Sequence, residues 1–504
     1  MGPATKPVSL RNLLLRLLLV GVFLLLLLPF VYVFTVQSSG AVESFSFIRL
    51  GGRIDVATTT AAAAVVRSVG SPPSNPLWTT REWRRTVDFY KSVFEDLIAD
   101  GYLSPSSKCL SVGTVAGQDV FALKEIGVPD AVGIAKKPQP PLVIRGDAVR
   151  HPFGGDTFDF IFSAGVDGVL RPGDVAAEIC RTLKPEGFFV VHTSSAKDLY
   201  SLNSFIDLFD CCRLVRSREI NGPDSSDLRE IVLKKENPTA LSHEGENPDA
   251  NSENKCLVEG HKRELVWNAE PLITEEPLKP WITLKKNLGN IRYLPSMADL
   301  SFKRKYVYID VGSRSYGSSI GSWFKKQYPK QNRTFDIYAI EADQAFHDEY
   351  RSRKGINLVP YAAWIRNETL LFEVSRGRKT GETGRRIGRG MGRIRPSEPS
   401  ASIGVDVDRI QGFDFANWLK SRVSKKDFVV MKMDVEGTEF DLIPKLFETG
   451  AICLIDELFL ECHYNRWQSC CPGVRSSKYP KTYNQCLDLF SSLRESGVLV
   501  HQWW

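Results

Sequence analysis

The strongest constraint on the fold is a pattern that occurs twice. In two separate stretches, a short apolar strand runs into a glycine-bearing turn, and strand and helix patterns then alternate. The first stretch opens with Cys109-Leu110-Ser111-Val112 and Gly113, the second with Tyr306-Val307-Tyr308-Ile309-Asp310 and Gly312. Alternation of this kind predicts α/β architecture with a mostly parallel sheet in each half. The two halves are separated by 236–276, where ten acids against three bases show no sustained periodicity, which reads as a linker. Ahead of the first strand, apolar residues at Val87, Tyr90, Val93, Phe94 and Leu97 predict an amphipathic helix.

The N-terminus constrains topology. Leu17 to Val36 is uncharged, and such a run of about 20 residues spans about 30 Å as a helix, the thickness of a bilayer core. Lys6, Arg11 and Arg16 precede it and no acid occurs before Glu43, so the short tail is expected in the cytosol. A cleaved signal peptide would have a shorter apolar run ending in small residues, whereas this one ends in Tyr32-Val33-Phe34-Thr35-Val36. The expected organisation is a cytosolic tail (1–16), a signal anchor (17–36), a stem rich in Ser, Ala, Thr and Pro (37–76), a first domain (77–235), an acidic linker (236–300) and a second domain (301–504). The bulk then faces the secretory lumen, in the manner of a single-pass type II Golgi membrane enzyme. Two sequons, Asn332-Arg333-Thr334 and Asn367-Glu368-Thr369, agree with that.

In the first half, the strand Phe158-Asp159-Phe160-Ile161-Phe162-Ser163 and the turn Arg181-Thr182-Leu183-Lys184-Pro185-Glu186-Gly187 carry a resemblance to the type 11 methyltransferases that use S-adenosylmethionine. The resemblance covers about Lys108 to Ser194. It implies a glycine-rich first turn and an acid at the end of the second strand that holds the ribose. Here Ser111 replaces the usual first-strand acid, Val115 the middle glycine, and the second strand runs into Ala135-Lys136-Lys137. A carboxylate accepts two hydroxyls at once and lysine cannot. Asp147 is left as an adenine contact, and this half reads as a degenerate domain.

The second half supplies what the first lacks. Phe335-Asp336-Ile337-Tyr338-Ala339-Ile340 ends in Glu341, and Phe428-Val429-Val430-Met431-Lys432-Met433 delivers Lys432 and Asp434 to the carboxyl end of a strand, where open α/β sheets bind ligands. The string Lys432-Met433-Asp434-Val435-Glu436-Gly437-Thr438-Glu439-Phe440, with Glu457-Leu458-Phe459-Leu460-Glu461-Cys462-His463, resembles the FkbM family of S-adenosylmethionine-dependent O-methyltransferases over about Lys305 to His463. Both halves are thus expected to be Rossmann-like class I methyltransferase domains. The resemblance implies that Asp310, Gly312, Gly317, Glu341 and Ala363 bind the cofactor, with Asp434 and Glu436 beside the transferred methyl or the acceptor. His463 is a candidate general base, since imidazole titrates near neutrality.

Other signals are weighed against plainer readings. Gly317-Ser318-Ser319-Ile320-Gly321 matches a nucleophile elbow, but Ser319 lies nine positions past its strand, which favours a helix start with Ile320, Trp323, Phe324 and Tyr328 on its apolar side. Cys462, Cys470, Cys471 and Cys486 fit no zinc spacing and are expected to form disulfides, while Cys453 reads as core; no metal site is read. The glycine-rich basic stretch 376–395 is either a solvated loop or, through Arg385, Arg386 and Arg389, a funnel for a polyanionic glycan. It has no aromatic for base stacking, which disfavours nucleic acid. The expected activity is methyl transfer to a glycan hydroxyl or carboxyl. The rivals are a catalytically silent methyltransferase-like scaffold and, further off, a serine hydrolase.

Overall fold

The computed structural model describes residue 78 and residues 80–165, 168–237, 260–376, 389–395, 405–468 and 470–503. The anchor at 17–36 and the stem lie outside these residues. Among the described residues no helix is long and apolar enough to cross a membrane.

The first half begins with the helix Arg81–Ala99, which Thr80 caps by accepting the Trp83 N–H at 3.3 Å. Its apolar face buries Trp83, Val87, Val93, Phe94 and Leu97 against the sheet. Full burial of each such side chain contributes about 1.5–3 kcal/mol, so this helix is fixed by its packed face rather than by propensity. Seven strands come next: β1 (Cys109–Val112), β2 (Ala131–Ala135), β3 (Val143–Arg145), β4 (Phe158–Ser163), β5 (Leu183–Thr193), β6 (Cys212–Asn221) and β7 (Asp227–Lys235). Their order is β3-β2-β1-β4-β5-β7-β6. The first five run parallel, and the β6–β7 hairpin brings β7 back antiparallel to β5.

The second half has its own sheet: β8 (Tyr306–Val311), β9 (Phe335–Ile340), β10 (Ile356–Val359), β15 (Phe428–Met433), β16 (Glu457–Leu460) and β17 (Leu499–Gln502). The order β10-β9-β8-β15-β16-β17 is parallel throughout. β8 and β15 are buried at every position, as strands covered on both faces should be, and this burial includes the charged Asp310 and Lys432. Between β10 and β15 a smaller sheet is inserted, made of β11 (Ala362–Trp364), β12 (Glu368–Arg376), β13 (Arg389–Arg395) and β14 (Val405–Asp414) in the order β11-β14-β12-β13. The expected mixed α/β architecture is therefore present in both halves.

Five local expectations differ from the structure. The stretch after β8 is a single wide turn, Ile320–Phe324, not an extended helix: Phe324 N and Lys325 N donate five residues back, to Ser319 O and Ile320 O at 3.0 Å each. The described part of the basic stretch is strand, since β12 runs to Arg376 and β13 begins at Arg389; residues 377–388, with Arg385 and Arg386, lie outside the described residues. Residues 260–300, assigned to the linker, carry helices at Gly260–Trp267 and Pro280–Asn287 and fold onto the second sheet. There the Glu270 carboxylate meets His501 Nδ1 at 2.7 Å, and Leu294 N donates to Glu457 at 3.0 Å. Cys453 is disulfide-bonded rather than a free core thiol. Cys462–Cys486 and Cys180–Cys211 are also disulfides, while Cys470 and Cys471 are free.

The halves share a core. Phe205 packs edge-on against Phe302 at 4.9 Å between ring centroids, and the buried Tyr200 hydroxyl donates to Asp456 at 3.0 Å.

Candidate functional site

At the carboxyl ends of β8, β9, β15 and β16 two cavities meet over Gly312, Arg314, Asp434 and Glu436. The smaller, about 120 Å³, lies beside Glu341 and Ala363 and is roofed by Phe372 and Ile394 of the inserted sheet. The larger, about 470 Å³, is faced by Glu461, His463 and Tyr479. Gly312 is needed where it stands. Its φ is +77°, and a Cβ there would lie 1.9 Å from the Asp434 carbonyl oxygen, so only glycine lets the two strand ends approach this closely. Gly317 has open space around it and lines neither cavity.

Glu341 lies directly after β9 and lines the smaller cavity. Its two oxygens accept the backbone N–H of Arg314 at 2.5 Å and of Asp343 at 2.7 Å, which fixes the carboxylate and leaves each oxygen a further lone pair. Burial pushes its pKa up to about 7. Asp310 is fully buried, lines neither cavity, accepts the Ser319 hydroxyl and lies 3.6 Å from Lys432 Nζ. Desolvation raises its pKa against the pull of Lys432. Ser319 is itself fully buried beneath the cavities, lines neither of them and donates its hydroxyl to Asp310, so no substrate reaches it and the hydrolase reading falls.

Lys432 bridges Asp310 and Asp434, with its Nζ 3.5 Å from Asp434 Oδ2. Burial works against its charge, but the two aspartates outweigh it and hold its pKa above the ordinary value. Asp434 is partly open to the cavities. Glu436, at φ +54°, accepts the Tyr479 hydroxyl and Lys478 Nζ, the latter at 2.8 Å.

His463 is 8% exposed, and its Nδ1 faces Glu439 Oε1 at 3.2 Å. Its Nε2 points among Asp434, Glu461 and Glu436, at 3.7, 3.9 and 4.0 Å. Desolvation alone would lower its pKa, but Glu439 and the other carboxylates outweigh this and hold it at about 9. The ring is therefore an imidazolium at neutral pH, not the free general base expected from its sequence position. Burial and Asp434 push the Glu461 carboxyl up.

The structure thus gathers Gly312, Glu341, Ala363, Asp434, Glu436 and His463 around the joined cavities and leaves Asp310 beneath them. Sequence reasoning missed Glu439, which reads locally as an ordinary first-turn helix acid, and Lys478 and Tyr479, which come from a stretch without periodicity.

The corresponding region of the first half is closed on itself. Asp119 is fully buried and accepts the hydroxyls of Ser111 and, at 2.6 Å, Thr114. A Cβ on Gly133 would meet Thr114 Cγ2 at 2.6 Å, so turn and second strand touch. Beyond β2, the exposed Lys136 lies 3.8 Å from Asp147.

Comparison with known proteins divides the chain in the same way. Residues 126–191 match a family described as a methyltransferase domain, and residues 267–370 with 400–504 match one described as a domain of unknown function (DUF7870). No curated protein matches. Among solved structures, 1,6-didemethyltoxoflavin-N1-methyltransferase from Burkholderia thailandensis, with 1,6-didemethyltoxoflavin and S-adenosylhomocysteine bound, is similar at 13% identity and a TM-score of 0.25, over 32% of this chain and 82% of that one. A putative sarcosine dimethylglycine methyltransferase from Galdieria sulphuraria is similar at 14% identity and a TM-score of 0.25, over 32% and 91%. Residues 126–191 of the first half thus match a methyltransferase domain, a family whose cofactor is S-adenosylmethionine.

Proposed function

We propose that the chain is an S-adenosylmethionine-dependent O-methyltransferase whose second half, resembling the FkbM family, is the catalytic one. Its acceptor is a hydroxyl or carboxyl group of a glycan, and residues 17–36 anchor it in a Golgi or other secretory membrane with its bulk in the lumen. The observation that carries the assignment of halves is Glu341, a fixed carboxylate at the end of the second strand with spare lone pairs on a cavity. The first half offers Lys136 at that place. Two disulfides, Cys180–Cys211 and Cys462–Cys486, support an oxidising compartment, and Asn332 and Asn367 of the two sequons are both exposed.

The residues fit the cofactor. Gly312 leaves room for backbone approach, Glu341 accepts ribose hydroxyls, and Ala363 keeps a small side chain on the cavity wall. When bound, S-adenosylmethionine supplies an electrophilic methyl group. Asp434, where the two cavities meet, takes the proton of an acceptor hydroxyl held in the larger one, with Lys432 behind it. His463, held as a cation by Glu439, orders the carboxylates rather than removing the proton. Holding acceptor and methyl donor on either side of Asp434 supplies proximity.

Calorimetric titration of S-adenosylmethionine into the full chain tests the assignment. Two hydrogen bonds to a charged group are worth about 1.5–3 kcal/mol each, so Glu341→Ala weakens binding roughly tenfold or more. Asp147→Ala in the first half leaves it unchanged. Loss of binding in Asp147→Ala with a silent Glu341→Ala reverses the halves, and no heat with the wild type leaves a scaffold.

A further inference from the structure

We infer that Asp434, Glu436 and His463 form a site for one divalent metal ion, Mn2+ or Zn2+, at the edge of the larger cavity. The three side chains offer two carboxylate oxygens and one imidazole nitrogen, all within 4.8 Å of one another. The set is not simply a patch of acids. His463 is 8% exposed, and no hydrogen bond reaches its Nε2 from any described residue, although three carboxylates surround it. An imidazole settled by those carboxylates would donate to one of them at about 2.7–3.2 Å. Here the gaps are 3.7, 3.9 and 4.0 Å on three sides. Two ligands of one ion, each about 2.1 Å from it, stand no more than about 4.2 Å apart. The distances from Nε2 to Asp434 and Glu436 already satisfy that limit.

The surroundings are those of a ligand set. Metal-bound histidines usually donate their other ring N–H to a carboxylate, which fixes the tautomer and the ring plane. Nδ1 of His463 faces Glu439 Oε1 at 3.2 Å, and the same carboxylate oxygen accepts the His463 backbone N–H at 2.6 Å. The Glu436 oxygen that faces Nε2 also accepts the Tyr479 hydroxyl and, at 2.8 Å, Lys478 Nζ, so a bound ion displaces the lysine or takes the other oxygen. The remaining coordination positions open on the 470 Å³ cavity, so water or an acceptor oxygen completes the sphere. A mixed nitrogen and carboxylate set suits Mn2+ or Zn2+ better than Ca2+. Ligation takes the neutral ring, with the proton on Nδ1 towards Glu439 and Nε2 facing the ion. On the proposed methyltransferase reading, an acceptor hydroxyl on the ion would be acidified beside Asp434. Ion binding itself does not rest on that reading.

The test uses the purified full chain stripped with a chelator and titrated with Mn2+, free ion being read by electron paramagnetic resonance, and then with Zn2+. One ion binds per chain. Asp434→Asn and Glu436→Gln each weaken binding at least tenfold, and Glu439→Gln, outside the ligand set, weakens it by about 10–100-fold. Glu219→Gln, a surface acid of the first half, changes nothing. A histidine-nitrogen coupling in the spectrum of bound Mn2+ disappears in His463→Ala; if that variant fails to fold, Glu436→Gln decides. Folded wild type that takes up neither ion, or Asp434→Asn and Glu436→Gln that bind like wild type, overturns the site. A chain that binds S-adenosylmethionine but no ion loses only this inference. A chain that binds the ion but no cofactor keeps the site and loses the proposed activity.

Discussion

Each half buries one carboxylate against one hydroxyl at the root of its first turn, with the two groups exchanged. In the first half the hydroxyl is on the strand (Ser111) and the acid eight residues on (Asp119). In the second the acid is on the strand (Asp310) and the hydroxyl nine residues on (Ser319). The neighbouring strand decides where the buried charge leads. Ser111 lies in register with Phe162, a fully buried ring packed on Phe94, whereas Asp310 lies in register with Lys432. The second half therefore has a charged line, Asp310–Lys432–Asp434, that leads from the core to the cavities. In the first half the acid turns back on Thr114 and closes its own loop. A buried acid supports a site only when its partner lies across the sheet towards the cavity.

The largest expected effect breaks that line at its open end. Asp434→Asn keeps the shape of the side chain but removes the proton acceptor, and positioned proton transfer contributes about 10²–10⁴-fold. Turnover with a glycan acceptor should fall by that range, while cofactor affinity changes far less. Asp147→Asn in the first half should leave turnover at the wild-type level. Equal losses from both variants would mean that the halves share one catalytic site.

These contrasts are only partly readable in the sequence. β8, β9 and β15 are legible because buried parallel strands are mostly apolar, each broken by a single charged residue, and Glu341 and Asp434 then fall just past their carboxyl ends. The exchange of Ser111 for Asp310 is visible, but not that Asp119 restores a buried acid, since eight residues of turn and helix have to fold first. Glu439 gains its meaning only against His463, which reaches it from 24 positions on. Lys478 and Tyr479 reach Glu436 from more than 40 positions on, in a stretch with no period. The wide turn at Ile320–Phe324 reads as a helix in sequence because Ile320, Trp323, Phe324 and Tyr328 are all buried, as a helix face would be.

A second contrast concerns pH. Among the described residues, Glu341 of the second half is a cavity-lining carboxylate whose pKa burial pushes up to about 7. Ribose hydroxyls donate to the ionised form, so cofactor affinity should rise roughly tenfold from pH 6 to pH 8 as Glu341 loses its proton. Glu341→Gln should bind weakly and show no such slope. The stability effect has the opposite sense. Glu341 holds its proton more tightly folded than unfolded, so its contribution is full below about pH 4.5 and is lost as pH rises towards 7. A cofactor affinity that is flat in the wild type would move ribose recognition away from Glu341.

The smallest effect separates the inserted sheet, which the first half lacks, from the site it covers. β12 ends at Arg376 and β13 begins at Arg389, and these two strands roof the smaller cavity through Phe372 and Ile394. If the basic stretch 376–395 gathers polyanionic glycans, reversing Arg385, Arg386 and Arg389 to Glu should weaken binding of a uronic-acid polymer. Exposed ion pairs are worth about 0.2–1 kcal/mol each, so the loss at low salt should be roughly fivefold. It should shrink as ionic strength rises and the Debye length contracts to about 8 Å, near physiological salt. Cofactor affinity should stay as it was, because Glu341 and Gly312 take their positions from β8 and β9. Equal polymer binding by wild type and the triple variant at low salt would remove the basic stretch from acceptor recognition and leave that to the larger cavity alone.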